Sequence, residues 1–278
     1  MGASPSPGRS NVAIPLRKEM PATAVVAGDL TFVARMRHNR NCARLRGRAP
    51  SGRHRPGQAR RQIRFAPKPV SGMMPRVSAA FQPNNPQRFE SALRRFDAEN
   101  SRDPNNETVN GISHPREKLY AQRLTGWVLR LCPDASEELR LAARCQHLCR
   151  WEIPRQAYPM TRAGYLQWRA TLKKFHAQKA GDILREAGYP EDAIRRVQDL
   201  NLKKLFPDDP ETRVLEDALC LVFLEFQLAG LAARTAEEKI INAIQKSWGK
   251  MSSAARSEAL KLNYGEREKA LLQRALNG

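Results

Sequence analysis

VLEDALCLVFLEFQL, residues 214–228, is apolar on nearly every side of a helical wheel, and such a helix belongs at the centre of a packed bundle. Its apolar residues recur at three and four rather than at two, which argues against a strand. Three carboxylates interrupt it, Glu216, Asp217 and Glu225. A buried carboxylate without a partner is costly, so each needs an arginine, a hydrogen-bond donor or a metal ion. The central helix is therefore also the first place to look for a site.

The same period extends outward in both directions. Phe89, Leu93 and Phe96 mark a helix from Pro86 to Asn100, closed by the turn-rich Asp103-Pro104-Asn105-Asn106. A second helix follows His114-Pro115 with Leu119, Leu124, Trp127, Val128 and Leu131, until Pro133 stops it. Asp134 or Ser136 can cap a third, running through Leu139, Leu141, Ala142, Cys145 and Leu148. A long helix runs from Thr161 to Gly188, a shorter one from Glu191 to Lys204, and the central one from about Pro210 to Arg234. Two or three amphipathic helices then finish the chain near Asn277. Nothing reads as a strand ladder, so the expected fold class is all-α, one multi-helix domain over residues 86–278.

Residues 1–85 differ in kind. They carry 16 Lys plus Arg against 2 Asp plus Glu, whereas the rest of the 278-residue chain carries 32 against 26, so most of the formal charge of +20 belongs to this segment. Rich in Pro, Gly, Ser and Arg, it has too few large apolar residues to offset chain entropy, and the expectation is a disordered basic tail. Three readings stay open for it: a nucleic-acid-binding arm, a cleaved organellar leader, or translated sequence upstream of a start at Met73 or Met74. Its one apolar run, Thr23 to Ala34, is too short to cross a bilayer. Five cysteines without a CxxC pair, and no secretory signal, point to a reduced, cytoplasmic protein without a membrane partner. Cys145 and Cys149 flank His147 and invite a zinc reading. On a regular helix, however, the two thiols share a face that His147 does not, which favours plain burial.

On that same regular helix His147 lies with Arg140, Arg144 and Trp151. The long helix carries a second stripe, Arg162, Tyr165, Arg169, Lys173 and His176. A row of cations is either solvated or placed to receive an anion. Two histidines and a carboxylate from three helices can converge on a divalent metal while neighbouring arginines clamp phosphate oxygens.

The run from Gln146 to Arg155, with Tyr158-Pro159-Met160 and Gly164-Tyr165-Leu166-Gln167-Trp168-Arg169, resembles the bacterial and fungal family known as domain of unknown function 4202. Phe175-His176-Ala177, Leu215-Glu216-Asp217, Cys220 to Glu225 and Lys246 to Ser252 extend the resemblance over about residues 86 to 276. The helix order is also similar, more remotely, to the His-Asp superfamily of metal-dependent phosphohydrolases. That likeness implies a divalent metal held by histidines and a late aspartate, for which Asp217 fits. Here the His-Asp doublet falls on Gln146-His147, and the first histidine falls near Tyr120. Lys250-Met251-Ser252-Ser253 resembles a synthetase loop, but that loop works beside a nucleotide-binding parallel sheet, and a serine capping the next helix is the simpler account.

The resulting expectation is a hydrolase of a phosphorylated small molecule or nucleotide. His147, His176 and Asp217 hold the metal, which acidifies a bound water. Glu216 is the catalytic carboxylate or supports the ligands, and Arg150, Arg155, Arg162, Arg169 and Lys173 bind the phosphate. The alternative is a non-catalytic module in which the same cations hold an anionic metabolite or RNA.

Overall fold

The computed structural model describes residues 81–277. The expectations for residues 1–80, disordered tail, leader, arm or upstream sequence, lie outside the described residues. Among the described residues ten α-helices follow one another: α1 Pro86–Asn100, α2 Arg116–Leu131, α3 Glu137–Cys145, α4 Arg162–Glu186, α5 Glu191–Leu202, α6 Pro210–Val222, α7 Leu228–Ala232, α8 Glu237–Lys250, α9 Ser253–Ala259 and α10 Glu266–Asn277. The all-α expectation holds. Among the described residues the exception is one antiparallel hairpin, β1 Asn106–Val109 with β2 Ile112–Pro115.

Local chemistry sets the boundaries. The Asn85 side chain accepts from the Arg88 amide at 3.0 Å and Pro86 opens α1. Ser136, Thr161, Asp209 and Ser252 cap α3, α4, α6 and α9 in the same way. Gly188, at φ 82°, reverses the chain after α4 so that the Tyr189 amide reaches back to the Leu184 carbonyl at 3.0 Å. The hairpin turns on Asn110 (φ 51°) and Gly111 (φ 78°), the tight turn that needs two positive φ angles. Asp103 clamps its base by accepting from the Asn105 amide at 2.9 Å and the Glu117 amide at 3.0 Å.

In the core, α2 and α3 pack on each other, α6 lies against α2, and α5 lies against both α3 and α4. Leu124, Leu139, Leu141, Leu184, Leu200, Leu215 and Leu221 are fully buried between them. Where α4 meets α5, a Cβ on Gly181 would stand 2.4 Å from the Gln198 side-chain nitrogen, so a larger residue there would displace that amide from the Ala177 carbonyl, to which it donates at 3.0 Å. After Val222 the central helix widens into a π-helical turn, Phe223–Gln227, before closing as α7. Such turns interrupt regular helices mostly where a site needs them. No helix among the described residues is long and apolar enough to cross a membrane.

The segment just before α1 belongs with the helices. The Phe81 ring packs edge-on to Phe89 at 5.5 Å and lies under the Arg140 guanidinium at 3.7 Å, and the Asn84 amide donates to Glu137 at 2.9 Å. The domain therefore takes in residues that the expected boundary at 85 assigned to the tail. A chain starting at Pro86 loses these contacts and the Asn85 cap, together worth about 2 kcal/mol. It should melt roughly 4–8 °C below a chain starting at Phe81 when the two are compared by calorimetry.

Candidate functional site

The site starts where α3 stops. Instead of continuing as one helix through Leu148, the chain leaves α3 after Cys145 and Cys149 adopts a left-handed φ of 53°. The Cys149 amide donates to the buried Asn100 side chain at 3.1 Å, and the Leu148 carbonyl faces His176 Nδ1 on α4 at 2.8 Å. A carbonyl can only accept, so Nδ1 carries the proton and Nε2 the lone pair. That Nε2 and the neighbouring Gln146 Oε1 are buried without a hydrogen-bond partner, and both residues line one cavity.

The cavity is about 140 Å³. His147 enters it from the turn, 5.8 Å ring to ring from His176, with Tyr120 of α2 stacked flat on it at 4.2 Å. His147 Nδ1 lies 3.4 Å from Glu117 Oε2. The wall carries Arg150, Arg169, Lys173, Lys203 and Lys250, against one carboxylate, Glu216. Glu216 is buried and paired with Lys203 and, at 2.8 Å, with Lys250. Burial raises its carboxyl, but the two lysine charges overcome that and hold it down at about 2. Burial, reinforced by the charges of Lys203 and Arg169, draws Lys173 down to about 8. Burial again, with His147 beside it, keeps His176 neutral and lowers it to about 3.

His147, His176, Glu216, Arg150, Arg169 and Lys173 are thus brought to one wall. Three expected partners are elsewhere. Asp217, one residue on from Glu216, points to another side of α6 and accepts from the Ser252 amide at 2.8 Å, fastening the start of α9. Arg155 is buried under its own loop, donating to the carbonyls of Tyr158 at 3.0 Å and Pro159 at 2.8 Å. Arg162, in the first turn of α4, is exposed and lines neither cavity described here.

The expected stripes also change. Arg144 pairs with Asp97 at 2.6 Å, and Arg140 donates to the Ala135 and Pro133 carbonyls, so neither shares a face with His147. Cys145 and Cys149 are buried free thiols whose pKa burial pushes up to about 12. Among the described residues, three metal-ligating side chains approach within 4.8 Å of one another at Glu99, Cys149 and Glu152, not at the histidines. Lys179 already occupies that cluster, 3.2 Å from Glu99 and 2.8 Å from Glu152.

The residues that sequence reasoning missed are Lys203, Lys250 and Gln146. Lys203 stands at φ 56° in the position after α5 where glycine is usual, a strained placement that sends its amine to Glu216. Lys250 was visible only within the Lys246 to Ser252 run of the family resemblance and in the synthetase-like motif, with no role attached.

A second, larger hollow of about 550 Å³ adjoins this cavity, and Tyr120, His147, Arg150 and Gln227 line both. Its wall includes Trp151, Trp168, Phe226 and several arginines.

Among known proteins, a family model described as "Domain of unknown function (DUF4202)" matches residues 90–272. No curated protein and no solved structure matches the chain.

Replacing Glu216 by Gln leaves Lys203 and Lys250 crowded in the wall and should cost about 3 kcal/mol at neutral pH. The folded carboxyl is held near 2 against an ordinary value of 4.5, so its contribution is complete above 4.5 and fades as pH falls towards 2. Urea unfolding of both proteins should show a gap that is constant from pH 6 to 8 and clearly narrower at pH 3.

Proposed function

The chain belongs to the DUF4202 family, whose description assigns no reaction, and from the cavity itself we propose that the protein binds the phosphate of a phosphorylated small molecule. The observation that carries this reading is the convergence of Arg150, Arg169, Lys173, Lys203 and Lys250 on one small cavity with Glu216 as the single carboxylate in its wall. Crowded like charges in a partly desolvated space favour an anion strongly. Lys173 makes no hydrogen bond or ion pair among the described residues, and its pKa is lowered first by burial and then by the charges of Lys203 and Arg169. The volume suits a phosphate group rather than a nucleic-acid strand, which favours a metabolite over RNA.

A divalent metal fits this donor set poorly. Asp217 is engaged by Ser252, Glu216 by two lysines, and the cationic wall opposes a further positive charge. Tyr120 stands where the His-Asp likeness puts its first histidine, and its stacking on His147 supports a shared site location. A phenol there does not replace the imidazole ligand.

A hydrolytic role at the same centre is the second reading, favoured by the orphaned His176 Nε2. A neutral imidazole locked by its Nδ1 bond can orient the attacking water by accepting its hydrogen bond, while the cations stabilise the charge on the phosphoryl oxygens as the ester P–O bond breaks and the alcohol or phenol leaves.

Isothermal titration with inorganic phosphate should show saturable binding that Lys173→Ala weakens about tenfold, the loss of one charge-assisted hydrogen bond. A bound anion restores the Lys173 proton, so binding takes up protons near pH 8 and should weaken as pH rises from 8 towards 10. Absence of binding at pH 7 would overturn the phosphate reading. For the second reading, p-nitrophenyl phosphate should be hydrolysed by the wild type, and His176→Asn should abolish turnover while retaining phosphate binding. No turnover by the wild type removes hydrolysis and leaves binding.

A further inference from the structure

We infer that the ligand is a nucleoside phosphate, with phosphate and sugar in the inner cavity and the base in the adjoining aromatic hollow. The inference rests on the phosphate reading and adds two independent observations to it.

The first is the pair of buried orphans. Gln146 Oε1 and His176 Nε2 are both acceptors, both without a partner, on residues that line the cavity. Each residue is more than nine-tenths buried. Groups left unsatisfied in a folded interior are costly, so they are matched to donors that arrive with a ligand. Phosphate oxygens are acceptors, and at neutral pH an inorganic or terminal phosphate has at most a proton or two to offer. Hydroxyl groups are the donors that accompany phosphate on a sugar. Two acceptors beside five cations therefore describe a hydroxylated phosphate ester better than phosphate alone.

The second is the outer hollow. It adjoins the inner cavity, with Tyr120, His147, Arg150 and Gln227 lining both, and at about 550 Å³ it has room for a heterocycle. Trp151, Trp168 and Phe226 line it, and guanidinium planes already lie over two of these rings, Arg150 4.8 Å from the Trp168 centroid and Arg123 4.1 Å from that of Phe226. Aromatic rings and guanidinium planes are the surfaces on which nucleobases stack. Asn105, Asn106, Gln156 and Gln227 supply amides that can pair with a base edge. An aliphatic body would leave these amides unused.

The π-helical turn ties the chambers together. Phe223 faces the inner cavity, Phe226 the outer one, and Gln227 both, a distribution that a regular continuation of α6 would change by rotating each residue along the axis.

The test is titration of the full chain with inorganic phosphate, ribose 5-phosphate and adenosine 5′-monophosphate, read by calorimetry and by tryptophan fluorescence. Affinity should rise at least tenfold from phosphate to ribose 5-phosphate, and again to the mononucleotide, and only the mononucleotide should quench tryptophan emission strongly. Gln146→Leu should collapse the ratio of ribose 5-phosphate to phosphate affinity, and Trp151→Ala the ratio of mononucleotide to ribose 5-phosphate affinity, while both keep a cooperative thermal transition. The ratios, read beside the retained transition, separate a lost subsite from a lost fold. Equal affinity for all three ligands, with Lys173-dependent phosphate binding intact, would overturn this inference and leave the phosphate reading standing. Failure of all three to bind would overturn both.

Discussion

The bond from His176 Nδ1 to the Leu148 carbonyl is the contact on which the rest of the site depends. Once α3 ends at Cys145, the carbonyls of Cys145, His147 and Cys149 still accept from amides three residues on, whereas that of Leu148 takes its partner from another helix, and a buried carbonyl without one is costly. His176 satisfies that need from α4, while Asn100 at the end of α1 satisfies the Cys149 amide. His176 and Asn100 together tie α4 and α1 to the turn that ends α3. The same His176 bond fixes the tautomer, so the lone pair stays on Nε2, buried without a partner. Fold and chemistry share one proton.

Charge organises the opposite wall. Lys203 follows the last turn of α5 and Lys250 ends α8, so both amines extend from helix C-termini, where the partial negative charge of the backbone favours cations. Glu216, from the middle of α6, fastens both. The ion pairs anchor α5 and α8 to the central helix and leave the wall net positive. On the phosphate reading, an entering anion would compete with Glu216 for these two lysines, whereas Lys173 feels Glu216 only through space and has no ion pair to break.

The helices were legible because their signals are local. Periodicity, Pro86 and Pro210 at first turns, Asp134 or Ser136 as a cap, Thr161 at the start of the long helix and Gly188 as its terminator all act within a few residues, and the structure starts and stops the helices there, with Ser136 as the cap. The hairpin was missed although Asn110-Gly111 is its ordinary signal, because eight short strand residues give too little alternation to register beside long helices. At the site, Arg169, Lys173 and His176 were legible as a helical stripe, since a regular α4 keeps them on one face. His147 was found for the wrong geometric reason. A left-handed Cys149, imposed by Asn100 and His176 from distant helices, has no local signature. Asp217 misled because adjacency to Glu216 does not imply a shared face; neighbours on a helix diverge by about 100°.

That divergence also explains why one acidic doublet serves two purposes. Glu216 turns to the lysines of α5 and α8, and Asp217 turns to the amide of Ser252, capping the start of α9 from outside the helix. Burial raises the Asp217 carboxyl, against the pull of the Ser252 bonds, whereas the paired lysines drive Glu216 the other way. Neighbouring carboxylates on one helix thus sit in opposite electrostatic environments, one fastening a backbone and the other tuning a cationic wall. The Lys250-Met251-Ser252 segment completes both contacts within three residues, Lys250 on Glu216 and Ser252 on Asp217. Its sequence is accounted for by that double attachment to α6, without any nucleotide-activating loop.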